Sequence, residues 1–277
     1  MVQIYIKKNN GDTQVFDPSK LKRSLIVSGA SAILADEILA HIEPTLHDGM
    51  TTAEIYKKAF LFIHKKAKKP AVKYGLRRSL MTLGPTGFPF EKFLAHIFQI
   101  KGYKTMVGAT VRGKCVEHEV DVIAYNNESV LVMEAKFHNT LATKTDTKVA
   151  LYVKARFDDI KNEKIPLSDG QYRTPTAGIL VTNTEFTDSA EKYGTCENMS
   201  MISWDYPATG NLYNLIEETG VHPITVLTSM TTAQKNEFIN NGIICCDQLV
   251  QAKELLDRIV QDPVEVDIIL KEVNMII

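Results

Sequence analysis

Cysteine is scarce in this chain, with four in 277 residues, at Cys115, Cys196, Cys245 and Cys246. Their spacing is too irregular for a disulfide framework, and no Cys-x-x-Cys pair is present to hold a metal. The vicinal Cys245–Cys246 pair reads as two small buried side chains rather than as ligands. No apolar run approaches the roughly 18 residues needed to cross a bilayer. Met1–Asn10 has two lysines but no apolar export core, so a cytoplasmic protein without membrane attachment is expected. Neither GxxxxGK[ST] nor GxGxxG occurs, which leaves out the two usual phosphate-binding loops. With 15 glycines, 10 prolines and no repeat or low-complexity tract, fibrous and disordered classes are excluded.

What is present is the composition of a globular protein, 44% hydrophobic and 23% charged, long enough for two domains of ordinary size. The net charge of −1 conceals an asymmetry. Residues 1–90 carry 14 Lys and Arg against 7 Asp and Glu, and the remainder carries 18 against 26. The basic part suits an anionic ligand. The acidic part can bind DNA only through a local groove or with metal ions screening its acids.

Ile4 and Ile6 alternate toward Lys8, Asn9-Asn10-Gly11 turns the chain, and Gln14-Val15-Phe16 returns, so a β-hairpin opens the protein. Asp17-Pro18-Ser19 starts a helix with Leu21, Leu25, Ile26 and Val27 on its apolar stripe. A second helix runs through 33–39. A third starts at Thr51-Thr52-Ala53-Glu54, a cap residue with an acid in the first turn. Pro70 begins a fourth that ends near Gly84. Gly84-Pro85-Thr86-Gly87-Phe88-Pro89 is the linker expected between residues 1–84 and 85–206. Beyond it come a helix over 90–101, strands over 104–111, 119–125, 130–137 and 176–182, helices around 149–162 and 188–193, and a last strand near 200–204. The order predicts an α/β domain with a central mixed sheet covered on both faces. Residues 207–277 predict two or three short helices. Leu215–Ile277 holds 10 Asp and Glu against 3 Lys and 1 Arg, which favours a packing or interaction module over a DNA contact.

The chemistry concentrates in Glu119-Val120-Asp121-Val122-Ile123-Ala124 and Val130-Leu131-Val132-Met133-Glu134-Ala135-Lys136. If Asn126–Ser129 is a four-residue hairpin loop, Tyr125 pairs with Val130, and the register sets Asp121 opposite Glu134 on one face. Glu134 and Lys136 share that face. Neighbouring carboxylates repel and a strand interior desolvates them, so the pair costs stability unless a cation compensates. Asp121, Glu134 and the carbonyl of Ala135 offer the hard oxygen ligands that Mg²⁺ (or Mn²⁺) prefers. Lys136 is then placed to orient or deprotonate a water, or to neutralise charge on a phosphate. The bland alternative is a cross-strand salt bridge on a solvated sheet face. Glu91 and His118 each have a surface reading beside a functional one. Lys154-Ala155-Arg156-Phe157 is either a phosphate contact or a solvated helix face.

These residues resemble the PD-(D/E)xK, or restriction-endonuclease-like, nucleases, closest to the Mrr-like branch. The resemblance spans roughly residues 88–206. It rests on Phe90-Glu91, Gly102-Tyr103, Glu119–Ala124, Glu134-Ala135-Lys136, Gly178–Asn183 and Phe186–Ala190. It implies Asp121 and Glu134 as metal ligands, Lys136 as the catalytic lysine, Glu91 as an auxiliary acid, and DNA cleavage, with defence against foreign DNA as a role. Val120 stands where the family's nominal proline falls.

In the first 84 residues, Lys7, Lys8, Lys20 and Lys22 gather near turns and a helix start, where ammonium groups and free amides can hold a polyphosphate. Lys8 with Gly11, Val15-Phe16-Asp17, Lys20-Leu21, Asp48-Gly49 with Thr51-Thr52, Ile55 and Tyr74 resemble an ATP-cone, an α+β domain of one β-hairpin and four helices. The resemblance implies ATP or dATP as a regulatory ligand held by Lys8, Lys20 and Thr52, with Gln14 and Tyr56 nearby, and a homo-oligomer whose state responds to it. Asn9 follows Lys8 where the family has arginine, unless the register shifts to Lys7-Lys8, and the last helix lacks the usual Tyr-Arg ending. The basic run His64–Lys69 reads as a solvated helix end or a DNA-backbone contact.

Overall fold

The structure, a computed structural model, describes residues 4–8, 12–27, 30–66, 75–140 and 142–277. The chain divides into two compact units between Arg77 and Arg78. In the first, β1 (Tyr5–Lys7) pairs antiparallel with β2 (Thr13–Val15), Ile6 opposite Gln14. The intervening turn, Asn9–Gly11, lies outside the described residues. Helix α1 (Pro18–Val27) starts on proline behind Asp17, whose carboxylate accepts the Ser19 N–H at 2.9 Å. Ser31 caps α2 (Ala32–Ile42) by accepting the Leu34 N–H. Thr51 and Glu54 cap α3 (Thr52–Lys66) reciprocally: Oγ1 of Thr51 accepts the Glu54 N–H, and the Glu54 carboxylate accepts the Thr51 N–H. Ile6, Leu21, Leu25, Ile38, Ile42, Met50 and Ile55 form the core of this unit. Residues 75–80 are helical. The beginning of the expected fourth helix, Tyr74 included, and Ala67-Lys68-Lys69 of the basic run lie outside the described residues.

The second unit is built on a five-stranded mixed sheet in which Ser200–Ile202, Ala177–Thr182, Val130–Lys136, Glu117–Tyr125 and Lys104–Arg112 lie side by side in that order. After α4 (Phe88–Ile100), β3 (Lys104–Arg112), β4 (Glu117–Tyr125) and β5 (Val130–Lys136) form an antiparallel meander. A short β6 (Lys144–Thr145) and α5 (Thr147–Ile160) follow, α5 being capped by the Asp146 carboxylate. A small hairpin of β7 (Ile165–Pro166) and β8 (Tyr172–Arg173) leads to β9 (Ala177–Thr182), which returns parallel to β5. β10 (Glu185–Phe186) pairs parallel with β6, and α6 (Asp188–Cys196) carries the chain to β11 (Ser200–Ile202), parallel to β9. Residues of both parities are buried at the end of β4 and along β5, as a sheet covered on both faces requires.

The C-terminal part adds α7 (Leu212–Thr219), α8 (Thr232–Asn240), α9 (Cys246–Gln251), α10 (Lys253–Val260) and α11 (Pro263–Val273), more helices than the apolar pattern suggested. They belong to the same compact unit as the sheet. Lys101 at the end of α4 pairs with Glu218 at 3.1 Å, and the Thr225 hydroxyl donates to the Ser79 carbonyl at 2.7 Å. Glu272, 3% exposed, is satisfied by the backbone N–H groups and hydroxyls of Thr228 and Ser229.

Candidate active site

The Asn126–Ser129 loop closes as expected: Asn126 Oδ1 accepts the Glu128 and Ser129 N–H groups, and Tyr125 pairs with Val130. The β4–β5 ladder runs from that pair to Val122↔Met133 and stops one pair short of Asp121 and Glu134. The β3–β4 ladder skips a pair at the same level, between Val107↔Val122 and Ala109↔Val120. The residue of β3 opposite Asp121 there is Gly108, with φ +64°. Val120 and Ile123 both join the core with Ile160. In an uninterrupted strand, residues three apart face opposite ways. The side-chain alternation therefore slips at Asp121, and the left-handed glycine beside it permits the slip. Freed from the ladder, the Asp121 carboxylate turns to accept the Ala135 N–H at 2.7 Å.

Glu134 is 9% exposed and both of its oxygens are engaged. Lys136 Nζ donates to Oε1 at 2.5 Å, and Arg156 donates to Oε2. The other end of the same guanidinium donates to the Glu119 carbonyl, so Arg156 ties α5 to two strands. The solvated-face reading of 154–157 thus fails for Arg156, whose side chain is 14% exposed, while Lys154 does pair outward, with Asp158 and Glu197. The signal was present in the sequence. Val149, Val153, Arg156, Phe157 and Ile160 recur at helical spacing, which puts Arg156 on the face that meets the sheet.

Glu91 lies in the first turn of α4, next to Gly87. Burial, followed by the charges of Asp121, Glu119 and Glu134, pushes its carboxyl up to about 7, with Lys136 opposing. The Asp121 carboxyl is also raised, by burial first and by Glu134. The Ala135 N–H is the largest opposing influence, followed by Lys136 and Arg156. Glu91, Asp121, Glu134 and Lys136 thus share one electrostatic neighbourhood, and Glu119 joins it. A carboxylate-rich group in which Asp121 and Glu91 resist ionisation offers the hard oxygen donors a divalent cation takes, so the donor chemistry fits Mg²⁺ or Mn²⁺.

Other candidates have structural partners. His118 is not a free surface group: Nε2 pairs with Asp159 at 2.8 Å, and Asp159 also accepts the Cys115 and Val116 N–H groups, bracing the β3–β4 turn. His138, just beyond β5, bonds Thr145 at 3.0 Å; burial, then Lys136, lowers its proton affinity. In the first unit, the 48–51 segment docks beside β1 through Lys7 N–H to Met50 O, Gly49 N–H to Tyr5 O and a Lys7–Thr51 bridge. The start of α3, with Thr52 half-buried, therefore lies alongside β1, which exposed Lys8 follows. Lys20 is exposed at the start of α1, whereas Lys22 is paired with Asp36. Gly11 lies outside the described residues.

The model of a family described as AF1548-like, C-terminal, matches residues 222–277. An uncharacterized protein of Archaeoglobus fulgidus is 31% identical over 161 residues, which are 58% of this chain and 86% of that protein. Among solved structures, the crystal structure of a protein of unknown function, AF1548, superposes with a TM-score of 0.54 at 28% identity, covering 68% of this chain and 97% of that one. The MspJI restriction endonuclease in complex with a 27-mer oligonucleotide gives a TM-score of 0.27 at 13% identity, over 64% of this chain and 40% of that one.

Proposed function

The chain belongs to the AF1548-like family, and we propose that it is a metal-dependent endodeoxyribonuclease of the PD-(D/E)xK kind. The observation that carries this reading is the electrostatic coupling of Asp121, Glu134, Lys136 and Glu91 beside the break in the β4 ladders, where Asp121 accepts the Ala135 N–H and Lys136 pairs with Glu134. Asp121, Glu134 and the Ala135 carbonyl would hold Mg²⁺ or Mn²⁺. When bound, the ion supplies Lewis-acid stabilisation of charge on the scissile phosphate and acidifies water. Lys136, 34% exposed beside Glu134, would orient the attacking water or offset charge developing on the phosphate. Glu91, poised at about 7, exchanges a proton near neutral pH. Arg156 holds the Glu134 carboxylate in one orientation.

On the same reading, ATP or dATP binds the first unit through Lys8, Lys20 and Thr52 and changes the state of a homo-oligomer, which gates cleavage. The Lys7–Thr51 bridge supports it by setting the chain neighbours of Lys8 and Thr52 side by side. A second reading, a nucleotide-responsive DNA-binding regulator without turnover, draws support from Arg156, which already neutralises Glu134 without an ion.

Incubation of supercoiled plasmid with the protein in Mg²⁺ or Mn²⁺ tests between them. Nicked or linear product that disappears in Asp121→Ala and Lys136→Ala is expected. Salt-dependent DNA retention with no product in either cation supports the regulator instead.

A further inference from the structure

A second group of metal-binding side chains lies away from the β4–β5 carboxylates, where α4 meets the C-terminal helices. We propose that His96, Cys245 and Asp247 form a site for a divalent transition-metal ion, zinc above all, that fastens α4 to the start of α9. One ligand atom from each residue lies within 4.8 Å of the other two. Around a tetrahedral zinc ion such atoms stand about 3.3–3.8 Å apart, close to the spacing found here. His96 Nε2 and Asp247 Oδ2 are already 2.6 Å apart, with side chains 13% and 30% exposed. Cys245 is fully buried, its backbone fixed by a bridge to Pro223 and by its N–H donating to Gln248 Oε1 at 3.1 Å.

Two further observations point to a cation. Asp247 Oδ1 is buried and makes no hydrogen bond of normal geometry, the carboxylate facing, besides His96, its own and the Gln248 backbone N–H at the start of α9, an arrangement a positive ion completes. The histidine also carries the support that ligating imidazoles require. Gln99 Nε2 donates to Thr105 Oγ1 at 2.8 Å, which turns Gln99 Oε1 toward His96 Nδ1, 3.2 Å away. Nδ1–H then donates to Gln99, and Nε2 is the nitrogen left to ligate.

The donor set selects the metal. A thiolate and a carboxylate beside a neutral imidazole bring two negative charges to a doubly charged ion, and sulfur excludes Mg²⁺ in favour of zinc-like ions. Binding releases the Cys245 thiol proton and the proton held between His96 and Asp247. Three protein ligands leave a fourth position for water.

Cobalt titration of the full-length chain tests this, since Co²⁺ takes zinc sites and a thiolate ligand gives it an intense near-ultraviolet charge-transfer band. A single equivalent is expected to produce the band and tetrahedral visible absorption, both bleached by Zn²⁺. The signal is expected to be lost in Cys245→Ser and His96→Gln, and kept in Cys246→Ser and Asp121→Ala. His96→Gln alters a side chain nearer the surface, so it reports even if Cys245→Ser does not fold. No band in the wild type, or a band that survives in His96→Gln or disappears equally in Cys246→Ser, overturns the site.

Discussion

Glu91 occupies the first turn of α4, where the helix dipole favours a negative charge, yet burial and three neighbouring acids push its carboxyl up to about 7 from 4.5. A raised folded-state value means that Glu91 favours folding in its protonated form. That contribution is fully present below pH about 4.5 and is lost as pH rises through about 7. Glu91→Gln, which cannot ionise, should therefore match the wild type near pH 5 and exceed it near pH 8. The gain is about 1–2 kcal/mol in urea unfolding once solvent screening is allowed for, and saturating Mn²⁺ should shrink it. Arg156 acts in the opposite sense. Its removal leaves Glu134 buried beside Asp121 with Lys136 alone to offset it. Arg156→Ala should cost about 2–4 kcal/mol without metal, and Mn²⁺ should restore more stability to this variant than to the wild type. Equal Mn²⁺ effects on both would show that Arg156 and the ion do not share Glu134.

At the scale of elements, the slip in β4 frees the Asp121 carboxylate from the ladder and lets it accept the Ala135 N–H. Gly108 adopts φ +64° opposite Asp121, and a side chain there costs about 1–2 kcal/mol. Gly178 on β9 is a different case. A Cβ there would lie 2.4 Å from the Phe157 ring, so Gly178→Ala pushes α5 off the sheet for about 1–3 kcal/mol. Both substitutions should lower the unfolding midpoint, but only Gly108→Ala should also weaken Mn²⁺ binding. Calorimetric titration of the two variants distinguishes a glycine that shapes the site from one that admits a helix. Much of this region was legible in the sequence, because Asn126–Ser129 fixed the hairpin register and alternation set Glu134 and Lys136 on one face. The slip was not legible, since it depends on Gly108 and Asp121 meeting across two strands. The His118–Asp159 and His96–Asp247 pairs were hidden for the same reason, each joining residues far apart in the chain. Arg156 was legible too, since the apolar spacing around it points inward, although its basic neighbour Lys154 does pair toward solvent.

At the scale of the molecule, the charge asymmetry coincides with two different kinds of unit. The basic first 90 residues contain the exposed lysines at Lys8 and Lys20, while the acidic remainder concentrates carboxylates around the β4–β5 site. If the first unit is a nucleotide sensor, size-exclusion profiles of the full chain should differ between ATP, dATP and no nucleotide, and Lys8→Ala with Lys20→Ala should abolish the difference. Profiles that coincide in all three conditions argue that the first unit has another task. The carboxylate cluster bears the central claim, and it can be tested without guessing the right DNA. Mn²⁺ binding by the wild type and by Asp121→Ala, followed by electron paramagnetic resonance, is the direct measurement. The account predicts a bound ion in the wild type that is lost in Asp121→Ala. Mn²⁺ binding unchanged by that substitution, or absent from the wild type, contradicts it.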